Sequence, residues 1–134
     1  MDKNDILQLD SLRTLEKTIR RLGYDAIEGV EKGTPVVTAS IRNMHFMVLL
    51  HNQCLKLIYR LHDQPEPGGG TFSNHWNTMN FAGTLIPMTD GYVMKHETLI
   101  ADGIVLGNLD DILNTFAAAV DKCLTDWFTL ITQK

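Results

Sequence analysis

Five histidines and two cysteines are the side chains of this chain best equipped to bind a metal or attack a substrate, and their spacing supports neither chemistry. His45, His51, His62, His75 and His96 occur in no H-x-H, H-x-x-H or H-x-x-x-H arrangement, and neither Cys54 nor Cys123 belongs to a C-x-x-C pair. His45 and His51 would share one face of a strand, but at opposite ends of it, too far apart to chelate one ion. A nucleophilic Cys54 needs a neighbouring base and a lowered thiol pKa, and nothing in the sequence supplies either, so it reads as a small apolar filler. Gly68-Gly69-Gly70-Thr71 precedes a helix, but lacks the Lys-Ser/Thr pair and the parallel-strand setting of a phosphate-binding loop, and reads as a flexible loop. The carboxylates are scattered, with no pair spaced for acid–base work. The sequence therefore predicts no catalytic set, no metal and no cofactor. An enzyme using Cys54 or a histidine is the competing class, and it requires a deep pocket lined by convergent titratable groups.

The densest chemical pattern is of another kind. Asn74-His75-Trp76-Asn77-Thr78-Met79-Asn80-Phe81-Ala82 reads as a short helix with two aromatics and a ladder of asparagines. Asparagine is a poor helix former, so three of them need compensation. Either Trp76 and Phe81 fill the core while the amides tie the helix to nearby backbone, or the amides read the donors and acceptors of a bound peptide. A buried Trp76 also needs a partner for its indole N–H.

These residues must be held by a framework that the composition bounds. At 134 residues and 44% hydrophobic, the chain fits one domain able to bury roughly two-thirds of its unfolded surface. Twelve Lys plus Arg against sixteen Asp plus Glu leave a net charge of −4, which argues against nucleic acid as the main ligand. Arg13, Lys17, Arg20 and Arg21 form the one basic cluster and read as the solvated face of the first helix, ahead of a phosphate-binding patch. Met1 to Asp5 is polar, without the basic and apolar regions of a signal peptide, and the densest apolar segment, Phe46 to Leu50, is too short to span a bilayer. A cytoplasmic protein with both thiols reduced is expected, with no membrane partner.

Leu12, Leu15, Ile19 and Leu22 recur at helical spacing from Asp10 to Leu22, with Asp10 or Ser11 as N-cap and Gly23 as the stop. Strands follow at Tyr24 to Glu31, Thr34 to Arg42, Met44 to Leu50 and Cys54 to His62, joined by tight turns that imply antiparallel pairing. Val37, Ala39 and Ile41, like Leu55, Leu57, Tyr59 and Leu61, alternate with polar neighbours, so one face is packed and the other wetter. Asp63 to Thr71, with two prolines and three glycines, reads as an exposed loop. Ser73 would cap the asparagine helix, Asp90-Gly91 would turn a hairpin from Thr84 to Ile100, and Asn108 would cap the last helix. Its stripe of Leu109, Ile112, Leu113, Phe116, Val120, Leu124, Trp127 and Ile131 covers about six turns. The result is an α+β domain over residues 1–134, an antiparallel sheet with helices packed on it in the order α-β-β-β(-β)-α-β-β-α.

Asn74, Trp76, Asn77, Asn80, Phe81 and Ala82, followed by Asp90-Gly91, Glu97 with Leu99, and Ala101-Asp102-Gly103-Ile104, resemble the pattern of the YbjN family of bacterial sensory transduction regulators. Leu22-Gly23-Tyr24 and the strand meander fit as well, so the resemblance covers nearly the whole chain. Asp102 stands where the family usually has a second glycine, a basic residue is common around Asn80 and Phe81, and the Gly-rich loop from Gly68 is individual to this chain. The resemblance implies a type III secretion chaperone-like fold, links to motility and stress regulation, and no enzymatic activity or cofactor.

Trp127, Phe128, Leu130 and Ile131 crowd the last turn of the final helix, more apolar surface than one stripe can bury, and read as core or as a two-fold subunit contact. The expected interaction residues are Asn74, Trp76, Asn77, Asn80, Trp127, Phe128 and Ile131. The expected function is that of a non-enzymatic regulatory or interaction protein holding an extended segment of a protein partner. The alternative is a dimeric secretion-type chaperone for an effector protein.

Overall fold

Alternation and turn chemistry build the sheet. A computed structural model describes residues 4–62, 71–80, 83–89 and 91–132, which form eight strands and three helices. β2 (Asp25–Glu31), β3 (Thr34–Ile41), β4 (Met44–His51) and β5 (Cys54–His62) run as a continuous meander. Each connection is a two-residue loop with both residues at positive φ, namely Lys32-Gly33, Arg42-Asn43 and Asn52-Gln53. Positive φ at both positions is the backbone of a type I′ turn, whose twist matches that of the flanking strands. β6 (Thr84–Met88) and β7 (Gly91–Leu99) complete a six-stranded antiparallel sheet in the order β2-β3-β4-β5-β7-β6.

Three helices cover one face of this sheet. α1 (Leu12–Arg21) is capped by Ser11, whose Oγ accepts from Thr14 N at 3.2 Å. It ends in a Schellman motif: Gly23 N donates to Arg20 O, Tyr24 N donates to Ile19 O, and Gly23 stands at φ +99°. α2 (Thr71–Met79) packs by β6, and α3 (Leu106–Thr132) crosses β3 and β4. Inward-facing Val37, Ala39, Phe46, Val48, Leu55, Leu57, Met94 and Leu85 form one core with Leu15, Ile19, Phe72, Trp76, Leu109, Phe116 and Val120. Phe46 and Phe116 meet edge to face at 5.1 Å, and Phe72 lies 5.8 Å from Tyr92. The α+β architecture read from the sequence is the one observed.

Several boundaries differ, for tertiary reasons. α2 begins at Thr71, so Ser73 is an interior, buried residue and not the cap, and Thr71 is helical instead of belonging to the loop. Residues 63–70 of that loop lie outside the described residues. α3 begins at Leu106, not after Asn108, because the Asp5 carbonyl accepts from Leu106 N at 2.9 Å and caps the helix from a remote part of the chain. Asp5 is positioned by a small two-stranded sheet that periodicity did not reveal, β1 (Ile6–Leu7) paired with β8 (Ile104–Val105). Met88 pairs with Gly91, which makes Gly91 the first residue of β7 and not part of the turn; Asp90 lies outside the described residues.

The second face of the sheet carries no helix among the described residues. Met47, Leu49, Ile58 and Val93 are half-buried on it, and Ile27, Ile86, Met88 and Leu99 are exposed. Cross-strand polar groups interrupt these apolar residues. Ser40 Oγ and His45 Nδ1 are 2.7 Å apart, and Lys56, Glu97 and Lys95 form a charged ladder.

Candidate functional site

The expected interaction residues separate into two groups with different roles. On α2, Trp76 is buried, and its Nε1 has no hydrogen-bond partner among the described residues. Asn77 is the most tightly bound member: its Nδ2 donates to Leu85 O at 2.8 Å while its Oδ1 accepts from Leu85 N at 2.7 Å. Asn80 folds back, donating from Nδ2 at 2.9 Å to Trp76 O, a carbonyl that also accepts from Asn80 N at 3.0 Å. Asn74 stands exposed. Of the three asparagines, Asn77 is the one that fastens this helix of poor intrinsic propensity to the sheet; Phe81 lies outside the described residues.

The bond to Leu85 defines one edge of the sheet. β6 is an outermost strand, and across its two-residue connection Met88, Ile86 and Thr84 are the residues that bond to β7. Leu85 and Pro87 therefore turn their backbone outward. Asn77 occupies both Leu85 groups, and Pro87 has no N–H to offer, so this edge is closed to another strand.

On α3, Trp127 packs partly against the core beside Leu124, while Phe128 is 63% exposed. A shallow depression among Leu124, Thr125, Trp127, Phe128 and Thr129 lies along this stretch of one helix. The side chain of Ile131 lies outside the described residues. Further back, α3 is moored by a polar node. Tyr24 Oη donates to Asp110 Oδ1 at 2.6 Å and accepts from Asn114 Nδ2 at 2.6 Å. Burial, reinforced by the hydrogen bond to Asp110, raises the Tyr24 phenol above its usual pKa.

The competing catalytic reading rests on Cys54. The cavity it lines, about 330 Å³, is open and bordered by Asp10, His51, Asn52 and Gln53 together with apolar Leu9, Leu50 and Ile100. His51 turns Nδ1 to Lys56 Nζ at 3.2 Å, an ammonium that can only donate. Cys123 is buried, its thiol pushed up to about 12 by desolvation, which makes it inert as a nucleophile. Among the described residues no group of His, Cys, Asp and Glu is arranged to hold a metal ion. His96 faces the core side of β7, and burial lowers its pKa while Glu97 opposes the shift.

Arg13, Lys17, Arg20 and Arg21 all stand exposed on α1, Arg20 pairing with Glu16 at 3.2 Å, which is the solvated face expected of them. No helix is long and apolar enough to cross a membrane among the described residues. Compared with protein-family models, curated proteins and solved structures, the chain shows no significant match.

Proposed function

We propose that the chain is a non-enzymatic regulatory or interaction protein of the cytoplasm, of the kind its resemblance to the YbjN regulators implies, and that it holds an extended segment of a protein partner along its sheet and flanking helices. The observation that carries this reading is the one-sided layering of the fold. A six-stranded sheet buries one face under three helices and leaves Met47, Leu49, Ile58, Val93 and Ile86 on the other, with no helix packed over them among the described residues. Antiparallel sheets tolerate water on one face, which is then normally polar; half-buried apolar side chains set between its polar groups give an extended segment both apolar contacts and hydrogen-bond partners.

The test is affinity capture from native lysate with the wild-type chain and with an Ile58→Glu variant. Ile58 is half-buried on the uncovered face, so the variant disturbs the surface more than the core. A protein enriched by the wild type and lost with the variant is the expected result. Equal recovery by both, or none by either, counts against this use of the face.

A dimeric secretion-type chaperone is the second reading, and the exposed Phe128 on α3 favours it. It requires a dimer in light scattering that Phe128→Lys converts to monomer.

A further inference from the structure

The two outer edges of the sheet are opposites, and the difference selects a ligand. We infer that β2 is the docking edge and that it accepts an extended, lysine- or arginine-bearing polypeptide segment as a seventh strand. This rests on the protein-binding reading above and names the edge and the partner's chemistry.

Closure of β6 by Asn77 and Pro87 leaves β2 as the one open edge of the main sheet among the described residues. Glu31 and Thr34 close the two-residue Lys32-Gly33 loop, so Glu31, Gly29, Ile27 and Asp25 bond to β3. Ala26, Glu28 and Val30 therefore turn their N–H and C=O groups away from β3; Ala26 is fully buried, so an incoming strand would engage Glu28 and Val30, which stand exposed. Ile27 is 64% exposed and Val30 71%, so the strand offers β-branched side chains to a neighbour on both faces.

Charge identifies the occupant. Asp25, Glu28 and Glu31 are evenly spaced along the edge, and β3, the strand beside them, carries no charged residue. None of the three takes part in an ion pair among the described residues. A second copy of β2 fits poorly. In the full-length antiparallel register Asp25 faces Glu31 and Glu28 faces its own symmetry mate, and like charges directly opposite each other are destabilising. Shifting that register by two residues avoids direct opposition but shortens the ladder and still lines both sides of the interface with carboxylates. A segment with cations at every third position turns each of these repulsions into an attraction.

The probe is an acetylated and amidated heptapeptide, Arg-Val-Thr-Lys-Val-Thr-Lys, with Glu-Val-Thr-Glu-Val-Thr-Glu as control, added to the full-length chain at low salt. Amide hydrogen exchange is read residue by residue. Slowing by at least tenfold at Glu28 and Val30 with the cationic peptide alone, weakened by added salt and abolished in Asp25→Lys/Glu28→Lys, is the expected result. Absence of protection, protection by both peptides alike, or protection on β6 or the uncovered face overturns the inference. So does a β2-protected dimer without peptide, which would make a second copy the occupant. Lysate capture by the wild type and the charge variant alike, without peptide protection, sinks the edge and spares the broader reading. Peptide protection without any captured protein does the reverse.

Discussion

The Asn77 side-chain amide stands in for a neighbouring strand against the backbone of Leu85, giving and receiving one hydrogen bond at 2.8 and 2.7 Å. One side chain thereby anchors α2 and terminates the sheet. Asn77→Ala leaves both Leu85 groups to find water at a partly buried position, at a cost of about 1–3 kcal/mol. Asn77→Asp keeps the acceptor and loses the donor, and falls between. The urea midpoint measures the first effect. Light scattering measures the second: the alanine variant, with its edge reopened, is expected to self-associate with concentration where the wild type does not. Unchanged stability in the alanine variant would show that the amide does not hold the helix.

Tyr24 joins the start of the sheet to α3 through Asp110 and Asn114. Tyr24→Phe removes the hydroxyl and both bonds, with an expected loss of about 1–2 kcal/mol at neutral pH. Because the folded-state phenol pKa is raised above its unfolded value near 10, the node's contribution is complete below about pH 10 and disappears as pH rises through the folded value. The stability difference between wild type and Tyr24→Phe should therefore narrow between neutral pH and pH 11. A constant difference over that range would separate the hydroxyl's ionisation from stability.

How far these relationships were legible depends on whether their causes are local. The four meander strands were readable because alternation such as Leu55, Leu57, Tyr59 and Leu61 reports one buried face, and Lys32-Gly33 and Asn52-Gln53 are turns by residue type. β1 and β8 were not, since two residues show no period and exist as strands only by pairing Ile6 with Val105. The start of α3 was misplaced at Asn108 because its cap is the Asp5 carbonyl, a contact no sequence window contains. A tie from an asparagine of α2 to nearby backbone was one of two roles left open by their poor helix propensity, and Asn77 takes it; that Asn77 in doing so closes a sheet edge was not readable, because the partner is fixed by how β6 docks. Alternation also reported one packed and one wetter face, and the helices do lie on a single face, which leaves Met47 and Ile58 on the other.

His96 gives the fold a sensitivity to mild acid. It is paired with Thr98 Oγ1 at 2.9 Å, and burial holds its pKa below the ordinary 6.5. A depressed histidine pKa favours folding while the ring is neutral, so its contribution is complete above about pH 6.5 and is lost as pH falls through the folded value. Urea unfolding at pH 7.5 and pH 5.0 should show a larger drop for the wild type than for His96→Gln. Equal drops in the two proteins would remove His96 as the cause.

Gly23 and Gly103 both adopt positive φ, at +99° and +93°, yet alanine should be tolerated very differently at the two. A Cβ at Gly23 meets nothing within 4 Å, so Gly23→Ala bears only the left-handed backbone penalty of about 1–2 kcal/mol. At Gly103 the same atom would lie 2.8 Å from Leu7 O and 2.9 Å from Ile6 Cγ2, and β1 has to move. Overpacking of that kind adds about 1–3 kcal/mol. The displacement also has a destination, because β1 leads from Asp5, whose carbonyl caps Leu106 N. Gly103→Ala is therefore expected to lower the urea midpoint more than Gly23→Ala and to speed amide exchange at Leu106, which Gly23→Ala leaves unchanged. Equal stability loss in the two variants, with Leu106 protected in both, would mean that the small β1–β8 sheet does not secure the start of α3.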